Sequence, residues 1–222
     1  DALTTCDNHS IYKAGAKEIA AEEGISLTFM SKFNEREGNS CHIHISLRTT
    51  DGEPVMAGGG THGLSTLMEH FLAGQLECLA ELTYLYAPNV NSYMRFVLVF
   101  ITLFPFCVVM YVSVTVSHQC SPMRACQSLS LRMENRVPGG DVNPSLAVAA
   151  LVAAGLHGID RELALEPAYV GNAYTSDKPR VPATLRDAAG RFAESKVALA
   201  AFGADVVDHY LNAANVELAA FE

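Results

Sequence analysis

The chain lacks the features that mark several common classes of protein. Its six cysteines include no Cys-x-x-Cys pair and no regular spacing, so we expect reduced thiols in a cytoplasmic protein. It has no run of lysine and arginine, and its formal net charge of -9 argues against a nucleic-acid binder. The three glycines at 58–60 are not followed by Lys and Ser or Thr, so they do not form a phosphate loop.

The ends of the chain also lack expected features. The sequence begins without methionine and without the basic and apolar regions of a signal peptide. A helix predicted from Asp205 is still continuing at Glu222, the last residue. We therefore expect a fragment truncated at both ends. With 222 residues, half of them hydrophobic, the chain can still bury a sizeable core.

The segment 37–47, EGNSCHIHISL, is the most informative stretch of the sequence. Its apolar and polar residues alternate, which predicts a strand that buries one face and displays His42, His44 and Ser46 on the other. Gly38 in the loop before it lets the backbone approach a ligand closely. Such a face could hold a metal, although a His-x-His pair is more often a hydrogen-bonded structural feature.

A second predicted strand, 129–136, also places charged side chains on one face: Arg132, Glu134 and Arg136. Imidazole and carboxylate together suit Mg²⁺ or Mn²⁺, and arginines suit carboxylate or phosphate groups. We interpret the two strands as a metal and nucleotide site. The alternative is a solvated strand face held by ion pairs.

Capping residues and apolar periodicity predict the remaining elements. We expect His70 to be structural and Lys13 to lie on a solvated helix face. Gly155 and Gly158 should permit close helix packing. The predicted helices run from Asp7 or Asn8 to about Glu23, over 64–86, over 143–161, over 184–195 and from 205 onward; a strand is predicted at 25–30 and a loop at 167–182.

The segment 96–116 is an almost unbroken apolar run, long enough to span a bilayer. It is rich in β-branched residues, contains Pro105 near its centre, and lacks the flanking basic residues that would set an orientation. It also lies between two strands that would build one site. We therefore expect no membrane span, and keep a membrane-anchored protein as an alternative.

Three motifs resemble the C-terminal catalytic half of the glutamine synthetases. The segment 37–46 is similar to the family's Asn-Gly-x-x-x-His-x-His-x-Ser strand. The segment 87–95, APNVNSYMR, resembles its Ala-Pro-x-x-Asn-Ser-Tyr-Lys-Arg sequence, and 134–144 resembles its Glu-x-Arg strand with the following Pro, Asp and Asn-Pro. The resemblance is closest to the γ-glutamylpolyamine synthetase-like branch. It implies an α+β fold in which antiparallel strands form a half-barrel funnel with helices packed outside.

The resemblance implies roles for the residues on the two strands. His42 and Glu134 would bind the divalent cation, Mg²⁺ or Mn²⁺, nearest the transferred phosphoryl group of ATP. His44 and Ser46 would lie along the ATP site. The metal and the nucleotide would therefore share the polar face of the sheet.

The resemblance also implies a substrate site. Gly38, Arg95 and Arg136 would hold glutamate, and the two arginines would act in catalysis, with Arg136 near the developing phosphoryl charge. Glu37 replaces an asparagine of the family motif beside the glutamate and amine pocket, which makes a cationic amine more plausible than ammonia; a solvent-facing loop glutamate is the alternative.

The implied activity is ATP-dependent ligation of glutamate to ammonia or an amine through γ-glutamyl phosphate, in a homo-oligomeric ring. The whole chain, 1–222, would be one partial catalytic domain, but 97–126 departs from the family and lacks its flap glutamate. We interpret that segment as a gene-model error and expect this fragment to be inactive alone. The alternative is a non-catalytic relative that binds nucleotide or amine.

Overall fold

The computed structural model describes residues 1–60, 63–97, 131–167 and 179–222. Seven helices and two short strands lie within these ranges, and the two strands form one antiparallel sheet. In chain order the elements are α1 (Ala2–Glu22), β1 (Ile43–Ile45), α2 (Thr66–Tyr86), α3 (Val90–Val97), β2 (Met133–Asn135), α4 (Pro144–Asp160), α5 (Leu185–Ala193), α6 (Lys196–Phe202) and α7 (Ala204–Phe221).

Side-chain caps set the starts of the central helices, and the caps at Asn143 and Thr184 are the ones that the sequence predicts. Asn143 accepts hydrogen bonds from two backbone N–H groups of the first turn of α4. Ser65 caps α2 in the same way, and Thr184 accepts from the backbone N–H of Asp187 in α5. The helix predicted over 184–195 ends at Ala193, because Ser195 caps a separate helix, α6.

Two predictions near the N-terminus are wrong. Helix α1 begins at Ala2 rather than after Asp7, because the Asp1 carboxylate caps it by accepting from the backbone N–H of Thr4. The segment 25–30 is not a strand: no other strand of the described residues pairs with it, and Ile25 is exposed. Apolar, β-branched composition favours a strand only where a neighbouring strand satisfies its backbone.

The core forms where α2 packs against α4. Gly74 of α2 lies so close to Gly158 of α4 that a Cβ on Gly74 would meet the Gly158 backbone nitrogen at 2.7 Å. The ring of Phe71 fills the space beside Gly155. These contacts confirm the predicted close packing. His70 is structural, as predicted, since its Nδ1 atom lies 2.8 Å from the carbonyl oxygen of Leu163.

The sheet presents one face to this core and the other outward. Ile43 and Ile45 of β1 pack against the core, and Met133 of β2 is fully buried. The α+β class is thus confirmed, with two strands of the sheet lying in the described ranges. The alternating polar residues are left on the outward face, where a site can form.

The apolar segment of the sequence lies almost wholly outside the described residues. This applies to the predicted membrane-length run at 96–116 and to the departure from the family pattern at 97–126. Most of the predicted loop 167–182 lies outside them too. Among the residues that the structure describes, no helix is both long and apolar enough to cross a membrane.

Candidate functional site

The pairing of β1 with β2 brings the predicted metal ligands together. In the antiparallel register His44 lies directly opposite Glu134, with Ile43 opposite Asn135. The Nδ1 atom of His42 lies 2.9 Å from Oε1 of Glu134, and Nε2 of His44 lies 3.8 Å from the same oxygen. Both histidines of β1 therefore lie close to one carboxylate oxygen of β2, although the two strands are about ninety residues apart in the chain.

Glu134 is the electrostatic centre of this face. Its side chain is only 8% exposed, and Nη1 of Arg136 donates a hydrogen bond of 3.1 Å to the same Oε1 atom. A carboxylate this buried is costly unless positive groups or hydrogen-bond donors compensate it. The arrangement concentrates imidazole and guanidinium nitrogens around one oxygen, so this part of the sheet is built around a negative charge.

His42 is suited to act as a metal ligand. Burial, followed by the nearby guanidinium of Arg136, lowers the pKa of His42, and these effects outweigh the opposing influence of Glu134. A neutral imidazole keeps the lone pair that a metal ion requires. Histidine nitrogen with carboxylate oxygen suits Mn²⁺ or Mg²⁺, so the residues present fit the implied cation. In the described ranges, however, no group of three or more His, Cys, Asp and Glu side chains forms a fuller metal site.

A second part of the site joins Gly38 to Arg95. A Cβ atom on Gly38 would lie 2.9 Å from Cγ of Arg95 and 3.0 Å from its Cδ. The loop and the arginine stem are therefore packed in direct contact, and only glycine fits. Because position 38 has no side chain, its backbone remains accessible to whatever the guanidinium binds.

Arg95 is buried and only partly satisfied. Its Nη2 atom donates to the carbonyl oxygen of Val137, and its guanidinium lies 5.0 Å from the ring centroid of Phe96. Its Nε atom is buried without a hydrogen-bond partner among the described residues. Burial lowers the pKa of Arg95 to about 10, although Asp141 opposes that effect. The side chain thus stays charged at neutral pH, with a donor available to an anion.

The two parts of the site adjoin each other. Both Arg136 and Arg95 contribute to lowering the pKa of His42, so both guanidiniums lie within electrostatic reach of its imidazole. Ser46 and Glu37 are exposed; Ser46 lies two residues beyond His44 on the outward face of the strand, and Glu37 lies in the loop beside Gly38. The structure thus brings six of the eight predicted site residues together.

Sequence reasoning placed Asp141 in the 134–144 motif but assigned it no role, although its carboxylate holds several parts of this region together. Its Oδ1 atom accepts a 2.6 Å hydrogen bond from the hydroxyl of Ser31. Its Oδ2 atom accepts from the hydroxyl of Ser92 at 2.6 Å and from Nδ2 of Asn89 at 3.0 Å. Asp141 belongs to the 134–144 motif and follows a Gly-Gly pair typical of a tight turn, but neither feature indicates which residues it contacts.

The position of Lys13 also differs from the prediction. Its Nζ atom donates to the carbonyl oxygens of Gly140 at 2.7 Å and Val142 at 3.4 Å, so it anchors this turn rather than pointing into solvent. Burial lowers the pKa of Lys13, with Asp141 acting in the opposite direction. Nothing in the sequence around Lys13 predicts this contact, because its partners lie 127 and 129 residues away.

Comparison with known proteins identifies the family. The family model described as "Glutamine synthetase, catalytic domain" matches residues 1–222. Among curated proteins, the chain is 55% identical over its full length to a gamma-glutamylethanolamide synthetase of Streptomyces coelicolor, covering 46% of that protein. It is 38% identical to a glutamate–isopropylamine ligase of a Pseudomonas species, with 95% of this chain and 46% of that protein covered.

Other relatives agree with these matches. The chain is 31% identical to the gamma-glutamylputrescine synthetase of Escherichia coli, with 99% of this chain and 46% of that protein covered. Among solved structures, ligand-free GmaS superposes with a TM-score of 0.81 at 29% identity, covering the whole chain and 51% of GmaS. The GmaS complex with ADP gives a TM-score of 0.79 at 26% identity, covering the whole chain and 52% of that structure. The chain thus spans about half the length of the relatives it matches.

Proposed function

The chain belongs to the glutamine synthetase family, and we propose that it carries the catalytic half of an ATP-dependent glutamate–amine ligase. The observation that supports this most is the single oxygen of Glu134 shared by His42, His44 and Arg136. The named relatives ligate glutamate to ethanolamine, isopropylamine or putrescine, which favours the same class of reaction here.

In this proposal the outward face of the sheet holds the nucleotide and a divalent cation. His42 and Glu134 are the protein ligands, and His44 and Ser46 lie along ATP. When bound, Mg²⁺ or Mn²⁺ neutralises negative charge on the phosphates. Arg136 donates to Glu134, so its guanidinium is oriented beside the same face and can stabilise the phosphoryl group during transfer.

Gly38 and Arg95 form the glutamate site. The buried guanidinium of Arg95 remains positive at neutral pH, and a carboxylate is the anion that its planar donors match best. The backbone at Gly38 lies against the arginine stem, so both can contact one substrate. The packing therefore pre-positions donors for a carboxylate beside the phosphoryl site.

The proposed chemistry has two steps. An oxygen of the glutamate γ-carboxylate attacks the terminal phosphorus of ATP, and ADP leaves. The amine nitrogen then attacks the γ-carbonyl carbon, inorganic phosphate leaves, and the nitrogen loses a proton to give the amide. Arg95 and Arg136 hold the substrate and oppose the negative charge that accumulates in the first step.

We assign the choice of amine to the loop at Glu37. Its exposed carboxylate lies next to Gly38, where it would favour a cationic amine such as a polyamine over ammonia. The family resemblance also supports assembly of the whole protein into a homo-oligomer, and the cysteine pattern supports a cytoplasmic location. These assignments are proposals for the whole protein, since the chain spans about half the length of the relatives it matches.

The first test is to measure, by calorimetry, the binding of Mg²⁺ with ATP and of L-glutamate to this chain. A phosphate-release assay of the full-length protein with ammonium, ethanolamine and putrescine follows. We expect binding of both ligands, weakened at least about tenfold for glutamate by Arg95→Ala. The exposed residue Arg161 supplies the matched control, Arg161→Ala. Binding of neither ligand would contradict the proposal, whereas binding without phosphate release from the full-length protein would indicate the non-catalytic relative.

A further inference from the structure

Asp141 connects two separate parts of the glutamate site. Its Oδ1 atom holds the hydroxyl of Ser31, which is fully buried at the start of the loop that leads to Gly38. Its Oδ2 atom holds the hydroxyl of Ser92, which is fully buried in α3. One carboxylate therefore joins the loop to the helix that carries Arg95.

The contact at Ser31 is transmitted directly to Gly38. The carbonyl oxygen of Ser31 accepts from the backbone N–H of Asn39 at 2.8 Å. The same oxygen would lie 3.4 Å from a Cβ atom on Gly38. A shift of Ser31 would therefore be passed to the backbone of Gly38 and Asn39.

The contact at Ser92 is transmitted to Arg95. Ser92 and Arg95 are three residues apart in α3, so they lie on the same side of the helix. Asn89, immediately before the helix, donates its Nδ2 hydrogen to Asp141 as well. The Asp141 carboxylate thus holds the start of α3 through Asn89, and through Ser92 it holds the side of the helix that carries Arg95.

The turn that carries Asp141 is itself held closely. A Cβ atom on Gly139 would collide with the Ser31 hydroxyl, and a Cβ atom on Gly140 would collide with the side chain of Asn39. Lys13 donates to the carbonyl oxygen of Gly140 from the other side. A turn packed this tightly can keep the carboxylate at a constant position.

We propose that Asp141 is a positioning residue for the glutamate site, holding the Gly38 loop and Arg95 at a constant separation without contacting substrate. This inference rests on the proposed function for its consequence, glutamate affinity, but its structural part can be tested without any ligand. Asp141 is separate from the residues assigned to the cation and ATP, so its loss should affect glutamate selectively.

The test combines hydrogen exchange and ligand binding in the full chain. In Asp141→Asn, one acceptor oxygen becomes a donor, so amide exchange should quicken in both 31–41 and 89–97. Ser31→Ala should quicken exchange in 31–41 alone, because the bonds from Asn89 and Ser92 remain. The matched control is Asp208→Asn on the exposed face of α7, which removes the same charge and should change neither segment.

Binding then separates positioning from general destabilisation. We expect Asp141→Asn to raise the Kd for glutamate about tenfold, since small displacements of binding groups are costly, and to change the Kd for ATP with Mg²⁺ less than twofold. Equal weakening of both ligands, or unchanged exchange in 31–41 and 89–97, would overturn the proposal. If the unmodified chain binds no glutamate, the proposed function fails, while the exchange data still decide whether Asp141 holds the two segments.

Discussion

The methylene stem of Arg95 occupies the space that a side chain on Gly38 would need. A Cβ atom at position 38 would lie 2.9 Å from Cγ of Arg95, closer than real Cβ contacts come. Cγ is near the base of the arginine side chain, so it cannot move away without moving the guanidinium. The glycine and the arginine therefore behave as one unit of the site.

Replacing that glycine should damage glutamate binding while leaving the fold intact. We expect Gly38→Ala to displace the Arg95 stem and raise the Kd for glutamate about tenfold or more, as measured by calorimetry. Gly59→Ala is the matched control, because a Cβ there meets nothing within 4 Å. Equal affinities in the two variants would show that the Gly38 contact does not position the arginine.

A different glycine controls stability. A Cβ atom on Gly158 of α4 would meet the backbone of Gly74 at 2.7 Å, and backbone atoms have little room to move. We expect Gly158→Ala to lower the free energy of unfolding by about 3 kcal/mol in urea denaturation.

Gly190 of α5 provides the opposite case for the same experiment. A Cβ atom there meets nothing within 4 Å, so Gly190→Ala should raise the free energy of unfolding by about 0.5–1 kcal/mol through helix propensity. Destabilisation by both alanines to the same extent would contradict the close packing of α2 and α4.

Stability should fall at alkaline pH because of Cys78. Burial, followed by the nearby Glu81, raises the pKa of this fully buried thiol to about 12, whereas an unfolded thiol ionises near pH 9. Between these values only the unfolded state releases the proton, so the free energy of unfolding decreases by about 1.4 kcal/mol per pH unit. Tyr84, whose pKa burial raises to about 12, adds to the loss above pH 10.

The contribution of the Cys78 thiol can be measured from the slope of the free energy of unfolding against pH. Cys78→Ala should lower stability at neutral pH but make the fall between pH 9 and 10 shallower, as followed by urea denaturation at each pH. Leu82→Ala also truncates a fully buried side chain in α2 and should keep the parent slope. A Cys78→Ala slope equal to the parent's would show that this thiol does not titrate as described.

The charge of Glu37 should influence the choice of amine. Because its carboxylate is exposed, we expect Glu37→Gln to weaken binding of putrescine only about two- to fivefold, and more at low than at high ionic strength. The neighbouring exposed carboxylate supplies the control, Glu35→Gln. Identical calorimetric titrations for the two variants would indicate that Glu37 is a solvent-facing loop residue.

Local patterns predicted much of this fold. Alternation along 41–47 correctly placed His42 and His44 opposite the apolar residues, because side-chain direction on a strand is a local property. The caps at Asn143 and Thr184 were also predictable, since each side chain bonds backbone only two or three residues away. The family resemblance added the expected roles.

Long-range contacts were beyond such patterns. The register that sets His44 opposite Glu134 depends on the approach of two distant strands. The role of Asp141 depends on donors 49 and 110 residues away, and nothing near Asp141 in the sequence marks them. Segment 25–30 was wrongly predicted as a strand for the same reason. Its composition favours a strand, but a strand also needs a neighbouring strand to pair with, and the local sequence does not show whether one is present.

In the proposed function, Glu134 and His42 hold a divalent cation beside ATP. The most direct test is electron paramagnetic resonance of free Mn²⁺ titrated with the chain in the presence of ATP. Glu134→Gln should weaken Mn²⁺ binding about tenfold or more, with retained helicity checked by circular dichroism. Glu77→Gln, which removes a carboxylate paired with His157 on the surface, should bind as the parent does. Parent-like Mn²⁺ binding by Glu134→Gln would show that this carboxylate is not a ligand of the cation.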